Sequence, residues 1–147
     1  MIRRNPIRHD PLRGLPSLRE LLENDRSVVF TYLFGSYGQG NPGPLSDVDL
    51  AIFIQGDRDP FEKRLDLVGY AMESLGTDEV DLVILNEAPL SLAFHVLHSG
   101  KDLFSRDEDT RLEWVVNIRQ RYFDTAYLRE IAWGGLVQRI REGRFGD

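Results

Sequence analysis

The sequence contains no cysteine. That excludes disulfides and thiolate metal sites. It fits a reducing compartment, so a cytoplasmic protein is the expectation. No apolar run approaches the roughly 20 residues needed to span a bilayer, so no membrane partner is expected. The opening "MIRRNPIRHDPLRG" lacks the apolar segment of a secretory leader and does not read as one. Positive charge is also scarce where a polyanion would need it. The net charge is -6, and residues 47–109 carry fifteen acidic and five basic side chains. Binding to nucleic acid rests on clustered Lys and Arg. No basic stripe with interleaved aromatics is present, so direct nucleic-acid binding is not expected. Internal repeats, linkers and low-complexity tracts are missing as well.

What remains is a chain of 147 residues with 41% hydrophobic and 29% charged residues, an ordinary globular balance. One domain over 1–147 is expected, with a core over about 17–105 and a helical tail over about 107–142. Residues 17–25 read as a short helix, with Ser17 as N-cap and Glu20 completing a capping box. "VVFTYLF" at 28–34 and "VDLAIFI" at 48–54 read as strands. Residues 60–75 read as an amphipathic helix with Phe61, Leu65, Val68, Met72 and Leu75 on its inner face. Pro60 stands near its start and Gly76 just beyond its end. "EVDLVIL" at 79–85 reads as a third strand, and "DLF" at 102–104 as a short fourth one. Between them, "PLSLAFHVLHSG" reads as a helix capped by Gly100. Beyond Asp107 the pattern is helical, with Leu112, Val115, Val116, Arg119 and Tyr122 along one face. Asp124 reads as the cap of a last helix carrying Leu128, Ile131, Leu136 and Ile140. The expected fold class is α/β (α+β): a small mixed sheet with flanking helices and a helical C-terminal tail.

One stretch breaks the pattern. In "LFGSYGQGNPGPLSDVDLAIFI", residues 33–54, a strand stops at Gly35-Ser36 and the next opens on Asp47 and Asp49. Aspartate is disfavoured in strands, and such local conflicts are expected where function overrides folding. Side chains alternate across a strand, so Asp47 and Asp49 point the same way. Asp81 lies in the following strand. If those strands are neighbours, three carboxylates share one sheet face. Oxygen donors without a nearby thiolate suit Mg²⁺ or Mn²⁺, and two such ions can clamp the attacking and leaving oxygens of a nucleotidyl transfer. Gly35 lets backbone approach a ligand closely, and Ser36 adds a donor for phosphate. The other two Asp-x-Asp pairs, Asp57/Asp59 and Asp107/Asp109, read as loop or cap residues.

"GSYGQGNPGPLSDVDL" resembles the signature of the nucleotidyltransferases of the DNA polymerase β superfamily. The compact length resembles the minimal nucleotidyltransferases, which include MNT-type antitoxins paired with HEPN-domain toxins. The resemblance implies the nucleotidyltransferase fold. It implies that Gly35 and Ser36 hold the triphosphate of ATP and that Asp47 and Asp49 bind metal. Asp81 would bind the catalytic metal and help deprotonate the acceptor hydroxyl. The implied reaction is Mg²⁺-dependent transfer of AMP from ATP to a hydroxyl. The favoured acceptor is a tyrosine of a partner HEPN toxin, because the chain looks too short for a dedicated small-substrate domain. The enzymatic alternative is a small-molecule, aminoglycoside-like acceptor. The non-enzymatic alternative is an antitoxin that acts by binding alone. One departure favours the latter: Gln39 occupies a position where many members carry arginine, and an amide supplies no charge. Arg64 and Lys63 are the candidates to replace it.

Three weaker signals complete the reading. His95 and His98, three residues apart, are expected to pack or face solvent rather than share a metal. "RNPIRH" at 4–9 matches the loose Arg-x4-His pattern of HEPN ribonucleases, but Pro6 argues against the helix it needs. Trp114, Tyr122, Phe123, Tyr127 and Trp133 are expected to pack on the sheet, with a partner or self-association surface as the alternative.

Overall fold

The computed structural model describes residues 9–40, 42, 43 and 46–143. The string 4–9 therefore lies outside the described residues except for His9, whose Nε2 lies 2.8 Å from the Leu75 carbonyl. Four strands form one mixed sheet in the order β3-β2-β1-β4. They are β1 (Val28–Phe34), β2 (Val48–Ile54), β3 (Val80–Ile84) and β4 (Lys101–Ser105). β1 is antiparallel to both β2 and β4, whereas β2 and β3 run parallel. A parallel pair needs a crossover, and α3 (Pro60–Leu75) supplies it.

Helices cover both faces. Val48, Leu50, Ile52 and Ile54 of β2 pack with Leu18 and Leu22 of α1 (Leu15–Asn24) and with Leu67, Ala71 and Leu75 of α3. On the opposite face, Phe30, Tyr32, Phe34 and Ala51 pack with Val96 of α4 (Leu90–Ser99) and Trp114 of α5 (Glu108–Arg141). Leu18, Leu22, Leu50 and Leu67 are completely buried. Each such side chain stabilises the fold by about 1.5–3 kcal/mol relative to its exposed state.

The bounds of β1, β2 and α3 agree with the sequence reading, while β3 is shorter and β4 longer by one residue at each end; several finer points also differ. α1 starts at Leu15, with Pro16 in its first turn and Gly14 at the N-cap. Proline is pre-organised for that position, so Ser17 falls inside the helix and forms no capping box. The inner face of α3 is Lys63, Leu67, Ala71 and Leu75, while Phe61, Leu65 and Met72 are exposed. The cause is Lys63, only 3% exposed, whose ammonium pairs with Asp25 at the end of α1. A paired lysine can occupy a core row that an apolar count assigns elsewhere.

α5 is one continuous helix of 34 residues, about 50 Å long at 1.5 Å per residue. Asp107 caps it by accepting from the Thr110 amide at 3.1 Å. The helix runs through Asp124 and through Gly134-Gly135 without a break. Its first half is anchored: Val115 and Ile118 are buried, and Tyr122 stacks on Phe94 of α4 at 3.7 Å between ring centroids. Leu112 and Val116 are exposed, contrary to the face expected from sequence. Arg111 pins this half to the sheet by donating to the Tyr32 hydroxyl at 2.9 Å and pairing with Glu108. Hydrogen bonding from Arg111 holds the Glu108 carboxyl down at about 2. Burial pushes the Tyr32 phenol up. The tail aromatics divide accordingly. Trp114 packs on Phe30 and Tyr32, while Phe123, Tyr127 and Trp133 are exposed.

Candidate active site

The Gly/Asp stretch forms a strand, a short helix, a loop and a second strand. α2 (Gly35–Gln39) begins directly after β1, with no side-chain cap on its first amides. Gly35 has φ of +64° and is packed against Asp49: a Cβ built there would stand 2.1 Å from Asp49 Oδ2. Only glycine satisfies both the left-handed backbone and the contact. Gly38 brings α2 equally close to β1, since a Cβ there would meet the Leu33 carbonyl at 2.6 Å. The Gly-Ser turn is thus pressed onto the strand that carries the aspartates. Ser36 is half-buried beside it, and Gln39 is exposed at the end of α2.

Register decides which carboxylates meet. Asp49 is paired with Phe34 on one side and with Asp81 on the other. Residues in register across neighbouring strands project to the same face. Ala51 and Val83, two residues on, pack in the cluster under α4 and α5. Asp49 and Asp81 therefore belong to that face. Asp47 immediately precedes β2, two residues before Asp49. The Val48 amide donates to the Glu79 carbonyl at 3.0 Å, tying the mouth of β2 to that of β3. Asp81 is exposed, while Asp47 and Asp49 are half-buried.

Asp49 and Asp81 share that face, and Asp47 stands one residue before the start of β2. Among the described residues, no three carboxylate or imidazole groups are placed so that they could hold a metal together. Like charges at close range repel. The donor chemistry nevertheless fits a hard divalent cation: carboxylate oxygens from adjoining strands, one of them with glycine backbone packed against it.

The two candidates to replace the missing arginine are differently placed. Lys63 is committed to Asp25 on the far face of the sheet. Arg64 Nε donates to the Leu82 carbonyl at 2.8 Å, which holds its guanidinium at the β3 edge of the sheet. His95 packs edge-on to Phe34, and His98 stacks on Phe94. Asp59 and Asp107 are helix caps, each accepting a backbone amide. A cleft of about 370 Å³ lies beside Asp81, walled by α3 and α4, and the sequence reading does not reach it. The exposed Phe61 is its one legible signal, and helical spacing assigns that residue inward.

The chain is similar to known proteins in sequence and in fold. Residues 17–109 match the family model described as polymerase beta, nucleotidyltransferase. The protein adenylyltransferase MntA of Shewanella oneidensis is 34% identical over 101 residues, which is 69% of this chain and 71% of that protein. A toxin–antitoxin crystal structure with AMP-PNP aligns with a TM-score of 0.67 at 28% identity, over 85% of this chain and 97% of that one. A complex of tri-AMPylated Shewanella oneidensis HEPN toxin with MNT antitoxin aligns with a TM-score of 0.65 at 25% identity, over 86% and 98% of the two chains. Among the described residues no helix is long and apolar enough to cross a membrane. With its strand–Gly-Ser–Asp-x-Asp arrangement and a match over most of its length, the chain belongs to the polymerase beta nucleotidyltransferase family.

Proposed function

We propose that this protein is an antitoxin adenylyltransferase that transfers AMP from ATP to a tyrosine hydroxyl of a partner HEPN-domain toxin. The observation that carries the reading is the Asp49–Asp81 register, together with Gly35 packed on Asp49. That arrangement sets a phosphate-approaching turn and two carboxylates at one end of one sheet face. The MntA relative, which is named for protein adenylylation, and the similar complexes with AMP-PNP and with an AMPylated HEPN toxin support the same reaction.

The roles follow from chemistry. The backbone at Gly35 and the Ser36 hydroxyl approach the triphosphate. Asp47, Asp49 and Asp81 would hold Mg²⁺, two ions in the full scheme, with Mn²⁺ as a substitute. Such a cation, when bound, offsets phosphate charge and lowers the cost of forming an oxyanion nucleophile. The acceptor oxygen attacks the α-phosphorus of ATP and forms the new P–O bond. The bond from that phosphorus to the bridging oxygen breaks, and pyrophosphate leaves with the electron pair. The acceptor's proton passes to the Asp81 carboxylate and then to water. Incubation with ATP, Mg²⁺ and a HEPN-domain partner protein tests the reading. An AMP adduct on the partner is the expected result by intact-mass spectrometry. An unmodified partner would refute it.

A further inference from the structure

The cleft of about 370 Å³ beside Asp81 lies over β3, the edge strand of the sheet. Its walls are Phe61 and Arg64 of α3, Val83 of β3, and Pro89 and Leu92 at the start of α4. Three features mark it as built for a particular guest. The wall is mostly apolar, with an aromatic ring that is 65% exposed at its rim. Its polar groups are few: Asp81 and Glu87 against one guanidinium, Arg64, itself held by the Leu82 carbonyl. Mainly apolar clefts of this size with a few placed polar groups are the usual form of a small binding site. The apolar rim also does not stop at the cleft. Phe61 continues along α3 as exposed Leu65 and Met72, at helical spacing, on the side turned away from the core.

We infer that this cleft receives the acceptor tyrosine, with Phe61 as the residue that selects an aromatic side chain presented by a protein. The inference rests on the transferase reading above and assigns its acceptor side. A phenol ring in this cleft would share its lining with Phe61, Leu92 and Asp81. A ring pair of that kind is worth a specific contact beyond its buried area. Two carboxylates against one cation disfavour an acidic acceptor segment. The apolar row of Phe61, Leu65 and Met72 gives a partner surface something to cover beyond the tyrosine itself, which a small hydroxylated acceptor would leave exposed. The chemistry is the same transfer: the phenol loses its proton to Asp81, gains the bond to the α-phosphorus, and pyrophosphate departs.

The test is kinetic and uses the full chain with its HEPN partner and Mg²⁺-ATP. Phe61→Ala should raise the KM for the partner about tenfold or more, the usual scale for truncating an aromatic anchor. Its KM for ATP should stay within about twofold of the wild type, and Phe61→Tyr should restore most of the loss. Phe61 is exposed, so folding is not at stake. As a second readout, benzoylphenylalanine at position 61 should crosslink to the partner peptide that carries the modified tyrosine. If wild type transfers AMP but Phe61→Ala has an unchanged KM for the partner, the cleft assignment is overturned and the transferase reading stands. A crosslink only to partner segments remote from the modified tyrosine also overturns the assignment. If wild type transfers no AMP, the transferase reading falls, and this inference falls with it.

Discussion

The Cα of Gly35 and the carboxylate of Asp49 are in direct contact: a methyl group built on the glycine would stand 2.1 Å from Oδ2. The Gly-Ser turn and the aspartate-bearing strand are therefore one mechanical unit. Gly35→Ala must strain a left-handed backbone and push Asp49 away. A stability loss of about 1–3 kcal/mol is expected from the backbone alone. AMP transfer should fall at least about 100-fold, the scale for misplacing reacting groups by an ångström. Chemical denaturation and transfer assays on the same variant check both. Wild-type transfer in a folded Gly35→Ala protein would break the link.

The carboxylates predict a metal response. Asp49 and Asp81 are in register across β2 and β3, and Asp47 stands just before β2; a divalent cation held by them would stabilise the native state only. At 100 times its dissociation constant, a single ligand adds about 2.7 kcal/mol. Mg²⁺ should therefore raise the melting temperature, and ATP should raise it further. Asp47→Asn with Asp49→Asn should abolish the rise while leaving the apo melting temperature nearly unchanged. A full Mg²⁺ response in the double variant would place the metal elsewhere.

Much of the fold and of the site is legible in the sequence, for identifiable reasons. β1 and β2 carry dense β-branched and aromatic runs bounded by Gly, Pro and Asp, so their limits are readable to the residue. The Gly35-Ser36 turn and the three aspartates stand out because each violates local preference. The misreadings come from interactions that a linear pattern does not encode. Lys63 enters the core row of α3 only because Asp25, 38 positions earlier, neutralises it. α5 passes through Gly134-Gly135 because two helical glycines cost about 1 kcal/mol each, too little to end a helix of 34 residues. The Asp81 cleft exists only once α3, β3 and α4 are brought together.

The Asp25–Lys63 pair predicts an acid-sensitive fold. Burial alone would raise the Asp25 carboxyl, but hydrogen bonds from Lys63 and Ser27 outweigh it and hold it below its ordinary 3.8. A carboxyl lower in the folded than in the unfolded chain stabilises the fold above its unfolded pKa. That stabilisation disappears as pH falls through the folded value. Asp25→Ala should cost about 3–5 kcal/mol at neutral pH by stranding a buried ammonium. Its stability should also fall less steeply than that of wild type between about pH 5 and pH 3. Urea denaturation across that range gives both numbers. Parallel pH curves would exclude the pair as a source of acid sensitivity.

Gln39 gives a gain-of-function prediction. It ends α2, exposed, one turn from Gly35. Of the two residues that could replace an arginine there, Lys63 is paired on the far face and Arg64 is tied to β3. Gln39→Arg should tighten ATP binding by about 1 kcal/mol, the low end for a charge-assisted hydrogen bond. Titration calorimetry at fixed ionic strength measures it. Unchanged or weaker binding would mean that position 39 does not face the triphosphate.

The central claim is that Asp81 activates an acceptor and does not merely end a strand. Asp81 is exposed, in register with Asp49, and borders the cleft beside β3. Removing its charge should leave Gly35, Ser36, Asp47 and Asp49 able to hold nucleotide. The deciding measurement pairs equilibrium Mg²⁺-ATP binding with the rate of AMP transfer to the HEPN partner for Asp81→Asn. Binding within a few-fold of wild type and transfer slower by about 100-fold or more is the expected outcome for losing a positioned base and metal ligand. Transfer at the wild-type rate would contradict the account.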